Sequence, residues 1–409
     1  MSSPPGAHGA ITLQPVTVET ESVRRVLYLT SAIVLVDTLF FSALTPLLPH
    51  YANTLGLGKG GAGLLSALYP LGTLVGAIPS GMVAARFGVK PTVLVGLIGV
   101  AVTTALFGLA TSAWQLDLAR FMQGLASSFS WTGSLSWLVA RAPEGRKGQL
   151  IGQAFAAAVA GALLGPVLGG AATVVGTGWA FGAVAVASLG LAAWALLTPA
   201  SRPAKPQPLA MLGAALRDRR VLLSVWFVVL PALLFGVLGV LGPLRLSDLG
   251  VGAIGIGAVW LVAGLLETVL NLGVGRFSDR FGPLAPIRIA LIASVVCAAL
   301  LPWPANRFVL AVLIVISCLA FGTFYTPGMA MLTHAAEDRR LDYGYAFALL
   351  NLAWAPGQSG GSALGGALAE ATSDAVPYLV LAGLALATLL MLKPLRILRN
   401  ESPSEQWTT

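Results

Sequence analysis

Long apolar stretches alternate with short polar interruptions along the whole chain, and the apolar stretches have the length of a bilayer. A helix needs about 20 mostly apolar residues to cross the hydrocarbon core. Stretches of that kind fall at roughly 26–49, 60–84, 91–112, 114–140, 149–173, 178–198, 221–244, 252–276, 285–302, 307–333, 344–370 and 375–392. The run from Gly148 to Ser201 holds no Asp, Glu, Lys or Arg, and the turn "VVGTGW" at 174–179 divides it into two spans. A proline-rich basic segment, "TPASRPAKPQPLAMLGAALRDRR" at 198–220, separates the sixth span from the seventh and ends in a short apolar stretch suited to the membrane face. The pattern predicts an all-α integral membrane protein with twelve transmembrane helices in two pseudo-symmetric six-helix bundles. The expected division is an N-terminal tail (1–23), a first bundle (24–198), a linker (199–220), a second bundle (221–393) and a C-terminal tail (394–409).

Composition agrees with this reading. The chain is 56% hydrophobic and 10% charged, with a mean hydropathy of +0.84, outside the range of soluble domains. Lys and Arg concentrate in loops that stay in the cytoplasm. With the N-terminus inside, only Lys59, Arg245 and Arg307 fall in outer loops and only Arg120 within a span. Both termini are expected in the cytoplasm of a bacterium, with the chain crossing its inner membrane many times. Residues 1–23 carry Pro4, Pro5, Glu19 and Glu21 without an apolar core behind cations, so they read as a tail and not a signal peptide. The net charge of +8 then reflects topology and attraction to anionic lipid, and nucleic acid is not an expected partner. Cys297 and Cys318 both fall inside spans and suit packing better than a disulfide. No phosphate-cradling glycine loop and no metal-ligand helix occurs, so neither an enzyme, nor an ATP-driven pump, nor a cofactor or metal is expected.

The chain also repeats itself. "GMVAARFGVKPTVL" at 81–94 returns as "GRFSDRFGPLAPIR" at 275–288, so that Gly81, Arg86, Phe87 and Gly88 recur as Gly275, Arg280, Phe281 and Gly282. Pro49, Leu55 and Gly56 recur as Pro243, Leu249 and Gly250 at the same offset of 194. Gly161, Gly165, Gly169 and Gly170 recur at an offset of 196 as Gly357, Gly361, Gly365 and Gly366. Two parallel six-helix halves with a site between them near mid-membrane is an arrangement of alternating-access transporters.

At these residues the chain resembles the major facilitator superfamily, over essentially all of 24–395. The family's loop motif, Gly-x-Leu-Ala-Asp-Arg-x-Gly-Arg-Lys, fits Gly81, Arg86, Gly88 and Lys90, and again Gly275, Asp279, Arg280 and Gly282. The resemblance implies that these gating loops latch the cytoplasmic side closed in the outward-open state. Ala85 stands where the first copy's acid belongs and Val89 where an arginine belongs, which weakens the first latch. "RFMQG" at 120–124, with Gly161, Gly165, Pro166, Gly169 and Gly170, is similar to motifs of the twelve-helix drug/proton antiporter families. That narrower likeness implies proton-coupled efflux of small amphipathic or cationic molecules by a monomer, with protons and the bilayer as its other partners. A proton symporter for a sugar, nucleoside or organic acid is the alternative, and a non-transporting receptor of the same fold is a third.

The repeat sorts candidate residues. Asp37 maps onto Pro231, Arg120 onto Ile314 and Glu267 onto Thr73, so none of these three intramembrane charges serves both halves. Each such charge costs about 2.5–3.5 kcal/mol on insertion scales and is by default functional. Asp37, Arg120 and Glu267 are therefore the expected proton-coupling or substrate residues. The competing readings are an Asp37–Arg120 ion pair, an Asp117–Arg120 pair, and a gate joining Glu267 to Arg276 or Arg280. Arg120, Gly124, Ser127, Trp131 and Ser134 form a polar stripe expected to face a cavity. Phe41, Gln123, Trp131, Trp260, Asn271, Tyr325, Asn351, Trp354 and Gln358 are the expected cavity lining. A cation over such rings gains about 0.5–2 kcal/mol. His50 and His334, at span ends, read as solvated interfacial side chains.

Overall fold

The computed structural model describes residues 16–143, 145–200, 208–341 and 343–392. Most of the expected tails and the middle of the linker lie outside the described residues. The described chain is all-helical. In chain order its helices are α1 (Val16–Ser42), α2 (Leu44–Leu55), α3 (Lys59–Phe87), α4 (Val89–Leu109), α5 (Ala113–Arg141), α6 (Lys147–Val175), α7 (Thr177–Leu197) and α8 (Leu209–Ala215). They continue with α9 (Arg219–Asp248), α10 (Ala253–Phe281), α11 (Leu284–Leu300), α12 (Arg307–Gly322), α13 (Tyr325–Asp338), α14 (Tyr343–Ala371) and α15 (Ala375–Met391).

Among the described residues eight helical stretches are long and apolar enough to cross a membrane, counting α1–α2 and α12–α13 as one each. The apolar helices α11 and α15 are shorter. The long helices α5 and α14 fall outside that set. These two carry Asp117, Arg120 and a serine run, or Asn351, Gln358 and many glycines. On α5 the polar side chains of Arg120, Gln123, Ser127 and Ser128 are buried inside the protein.

Two expected spans are broken, each four residues before a proline, although Pro70, Pro79, Pro166, Pro231, Pro243 and Pro356 sit inside unbroken helices. A proline removes a helical hydrogen bond and its ring clashes with the carbonyl four residues earlier. Pro46 points back to Ser42, where α1 ends, and Pro327 points back to Thr323, where the chain passes from α12 to α13.

The sequence repeat is also a repeat of contacts. In α6, a Cβ added at Gly161, Gly165 or Gly169 would overlap the carbonyl oxygens of Leu35, Leu39 and Ala43 on α1 and its end. In α14, a Cβ at Gly357 or Gly361 would overlap the carbonyls of Val229 and Leu233 on α9, and one at Gly365 would press on Val237. The partners thus stand at the same offset as the loops. Small residues let helix backbones approach this closely. Two further seams join the repeats crosswise: Gly63 of α3 meets the Ser362 carbonyl of α14, and Gly257 of α10 meets the Pro166 carbonyl of α6. Turns repeat too, since Gly56 and Gly250, and Gly88 and Gly282, all have positive φ. That region is open to glycine at little cost.

The face bearing the Arg86 and Arg280 turns is the loop face. There Lys90 donates to the carbonyls of Leu196 (2.6 Å) and Thr198 (3.0 Å), and Arg288 donates to that of Leu392 (3.1 Å). Helix α8 buries Leu212 in a cluster with Val221, Leu332 and Ala336, and its Ala215 is also buried. Asp218 caps α9 by accepting from Arg220 N at 2.7 Å, and it pairs with Arg339 beyond α13. On the far face Lys59 pairs with Asp374, and Glu370 accepts from Gly60 N at the start of α3.

Candidate functional site

A cavity of about 1380 Å3 lies between the two repeats. Its lining runs from Leu44, Ser66 and Ser362 in the interior to Gly148, Glu337, Arg340 and Phe347 at loop-face ends of helices. It is therefore open on the loop face, while the ion pair and cap just described close the far face.

Asp37 does not line this cavity. It is buried on α1, and its Oδ2 accepts three hydrogen bonds: from Ser127 Oγ (2.6 Å), Tyr69 Oη (2.9 Å) and Trp131 Nε1 (2.5 Å). Tyr69 also lies 2.7 Å from Ser127, which links α3 and α5 around the same carboxylate. Oδ1 has no partner. Ser127 and Trp131 lie four residues apart on α5, as one helical face requires. The polar stripe of α5 is thus a buried seam: Gly124 abuts the Tyr69 carbonyl, and the Ser134 carbonyl accepts from Thr30 Oγ1 at 3.0 Å. Of the stripe expected to face a cavity only Arg120 lines one, because neighbouring helices satisfy the rest directly.

Arg120 forms no ion pair with Asp37 or Asp117. Its Nη1 donates to Gln123 Oε1 (3.2 Å), its Nη2 to the Phe41 carbonyl (3.4 Å), and its Nε to nothing. The rings of Tyr69, Phe107 and Phe41 surround the guanidinium at 4.9, 5.7 and 5.8 Å. Although almost wholly buried, Arg120 reaches the cavity wall.

Glu267 lies on the opposite wall, on α10. Its carboxylate packs against Gly322 at the end of α12, where a Cβ would overlap it. Among the described residues no hydrogen bond or ion pair holds it, so the gate to Arg276 or Arg280 is not formed.

Phe41, Trp260, Asn271, Tyr325, Trp354 and Gln358 line the cavity. Phe41 meets Trp354 edge-on at 5.6 Å, and Asn271 Oδ1 accepts from Thr326 at 2.9 Å. Gln123, Trp131 and Asn351 do not line it. Gln123 is spent inside the bundle between Arg120 and Thr104, and Trp131 is turned to Asp37. Sequence reasoning missed Tyr69, although it maps onto Ala263 and so also breaks the repeat. It also missed Phe155, Phe235 and Thr326 of the lining. In the loops, Arg86 and Arg280 lie over the neighbouring rings of Phe87 and Phe281 at 5.4 and 5.3 Å, and Asp279 makes no ion pair with a described residue. His50 and His334 are exposed.

The profile of the Major Facilitator Superfamily matches residues 30–341. The chain belongs to that superfamily. It is therefore a multi-pass membrane transporter of a small-molecule substrate, and not an enzyme. An MFS-type transporter of Enterobacter sp. (strain 638) is 26% identical over 365 residues, which cover 87% of this chain and 92% of the relative. Multidrug resistance protein MdtG of Citrobacter koseri is 34% identical over 135 residues, 32% of this chain and 33% of that one. The solved structure of nucleoside transporter NupG superposes with a TM-score of 0.70 at 15% identity, covering 93% of this chain and 100% of that chain. A POT family transporter in complex with a thioalcohol-conjugated peptide gives 0.73 at 12% identity, covering 92% and 96%. At such identities the likeness bears on the fold alone.

Proposed function

We propose that this transporter is a proton-coupled exporter, an antiporter that trades protons for small amphipathic molecules bearing an organic cation. In this reading twelve spans form two six-helix bundles, 24–198 and 221–393, joined by the linker 199–220, and they rock about the cavity. The repeated glycine seams and the crosswise contacts of α3 with α14 and α10 with α6 support that layout. The loop face, rich in Arg and Lys, is the cytoplasmic side by the positive-inside rule, so the cavity here is open to the cytoplasm. A bacterial inner membrane and a monomer complete the picture.

The observation that carries the proposal is the bare carboxylate of Glu267 on the cavity wall. A carboxylate at that depth with no protein partner must be neutralised, and a proton and an organic cation can do this in turn. Trp260 and Tyr325 on the same cavity supply the aromatic faces that favour a cation. A ligand or proton moves the equilibrium only through different affinity for its two states, and competition for one carboxylate provides that difference. Asp37 is a second proton site, reached through its cage. The likeness of a third of the chain to multidrug resistance protein MdtG agrees with export.

The test is proton release from acid-loaded proteoliposomes on adding tetraphenylphosphonium outside, beside neutral and anionic compounds of similar size. The wild type discharges the pH gradient with the cation, and Glu267→Gln slows this by about a hundredfold, the scale of an essential charge contact. The exporter reading is overturned if no cation releases protons, or if Glu267→Gln performs as the wild type. Proton uptake together with a compound would replace antiport by symport.

A further inference from the structure

Arg120 and Glu267 line the same cavity from opposite repeats, and neither forms an ion pair with a described residue. Arg120 has only an amide oxygen and one long carbonyl contact for its two terminal nitrogens, and its buried Nε has no partner. A buried charge left without a counter-charge is costly unless something supplies one. Asp37 does not do so directly, since Tyr69, Ser127 and Trp131 take up its Oδ2. Between the two charges the wall is aromatic: Phe41 lies beside Arg120, Trp354 meets Phe41 edge-on, and Tyr325 and Trp260 line the side of Glu267.

We infer that Arg120 and Glu267 are the two ends of one substrate subsite, and that the transported molecule is a zwitterion with a carboxylate at one end, an ammonium at the other and a flat apolar body between. This rests on the export reading and narrows it. A guanidinium fork matches a carboxylate in shape as well as charge. A ligand with only a cation gains Glu267 but meets Arg120 as an unpaired like charge, whereas a zwitterion satisfies both. Because the ends belong to different repeats, the ligand bridges the two halves that must move.

The experiment uses the full-length protein in lipid nanodiscs and three probes on one skeleton: para-aminomethyl phenylacetate, para-methyl benzylamine and para-methyl phenylacetate. Binding is read by calorimetry, and proton exchange in proteoliposomes is read separately. The zwitterion is expected to bind at least about tenfold tighter than either singly charged probe, the gain of one good charged contact. Arg120→Gln removes its advantage over the amine and Glu267→Gln its advantage over the acid. Where Arg120→Gln fails to fold, Arg120→Lys keeps the charge without the fork and must shrink the advantage over the amine. If the amine binds as tightly as the zwitterion while protons still exchange, this inference falls and cation export stands. If the zwitterion binds best but no probe releases protons, the subsite stands and the export reading falls.

Discussion

The two repeats share their contacts but not their charges. Gly161, Gly165 and Gly169 seat α6 on α1 as Gly357, Gly361 and Gly365 seat α14 on α9, yet Asp37, Arg120 and Glu267 have no charged counterparts. The unrepeated carboxylates also differ from each other. Asp37 is enclosed by three donors and does not line the cavity, whereas Glu267 has no donor among the described residues and lies on its wall. Repetition therefore marks what the fold requires, and the hydrogen-bond partners of an unrepeated charge decide whether it reads as internal scaffold or as ligand contact.

The largest effect on stability is expected at the caged acid. Asp37→Ala leaves the Ser127 hydroxyl and the Trp131 ring N–H without their acceptor, while Tyr69 can still turn to Ser127. Each buried donor left alone costs about 1–3 kcal/mol. Asp37→Asn keeps one acceptor oxygen and is expected to melt near the wild type, although its proton exchange is lost. Thermal unfolding in nanodiscs separates the two variants. Equal melting of Ala and Asn would mean that the cage is not structural, and the contrast with Glu267 would collapse.

Next comes the seam that both repeats share. Gly165→Leu and Gly361→Leu each force a side chain onto a carbonyl oxygen, that of Leu39 or of Leu233. Overpacking costs about 1–3 kcal/mol, and the two losses should agree within a factor of two if the repeats are equivalent as packing units. A smaller and purely functional effect is expected at Gly322. Its added methyl in Gly322→Ala meets the flexible end of Glu267, so the carboxylate swings away with little strain. Substrate affinity is expected to drop by about tenfold, with stability held within about 0.5 kcal/mol. An unchanged affinity would show that Glu267 is not positioned by this contact.

Much of this was legible in the sequence, because its signals are local. Span length follows from bilayer thickness, and each expected span falls on a described helix or a broken pair. The glycine series and the loop motif are strings whose copies can be aligned by eye. The breaks at Ser42 and Thr323 were not legible, since prolines such as Pro70, Pro166 and Pro231 stand inside unbroken helices. Partnership was not legible. Nothing along α5 tells that Ser127 and Trp131 turn to α1 instead of a cavity, because one polar stripe suits either a wet wall or a wall of donors. Tyr69 was overlooked for a different reason: aromatic residues are common in bundles, and only its replacement by Ala263 in the second repeat distinguishes it. Lining residues from α6 and α13, such as Phe155 and Met329, are apolar and carry no signal of their own.

The smallest expected effect tests whether the crosswise seams are equivalent. At the far face α3 and α14 are clamped by the Lys59–Asp374 pair and by Glu370 on Gly60 N. At the matching place α6 and α10 offer Ala253 and Ile254 against Gly170, with no charge. Opening the far face must therefore break charged contacts along one seam and only apolar contacts along the other. Lys59 and Asp374 side chains are 35% and 20% exposed, so their pair is worth only about 0.2–1 kcal/mol. Lys59→Ala is then expected to raise the far-face-open population by up to about fivefold, and less at high salt, where exposed pairs are screened. Spin labels at the exposed positions Thr54 and Thr372 would read this as growth of the longer-distance population. Glu370→Gln, which keeps an acceptor for Gly60 N, should change the distribution less than Lys59→Ala. If both variants match the wild type at low salt, the charges do not restrain opening, and the two seams act alike despite their different chemistry.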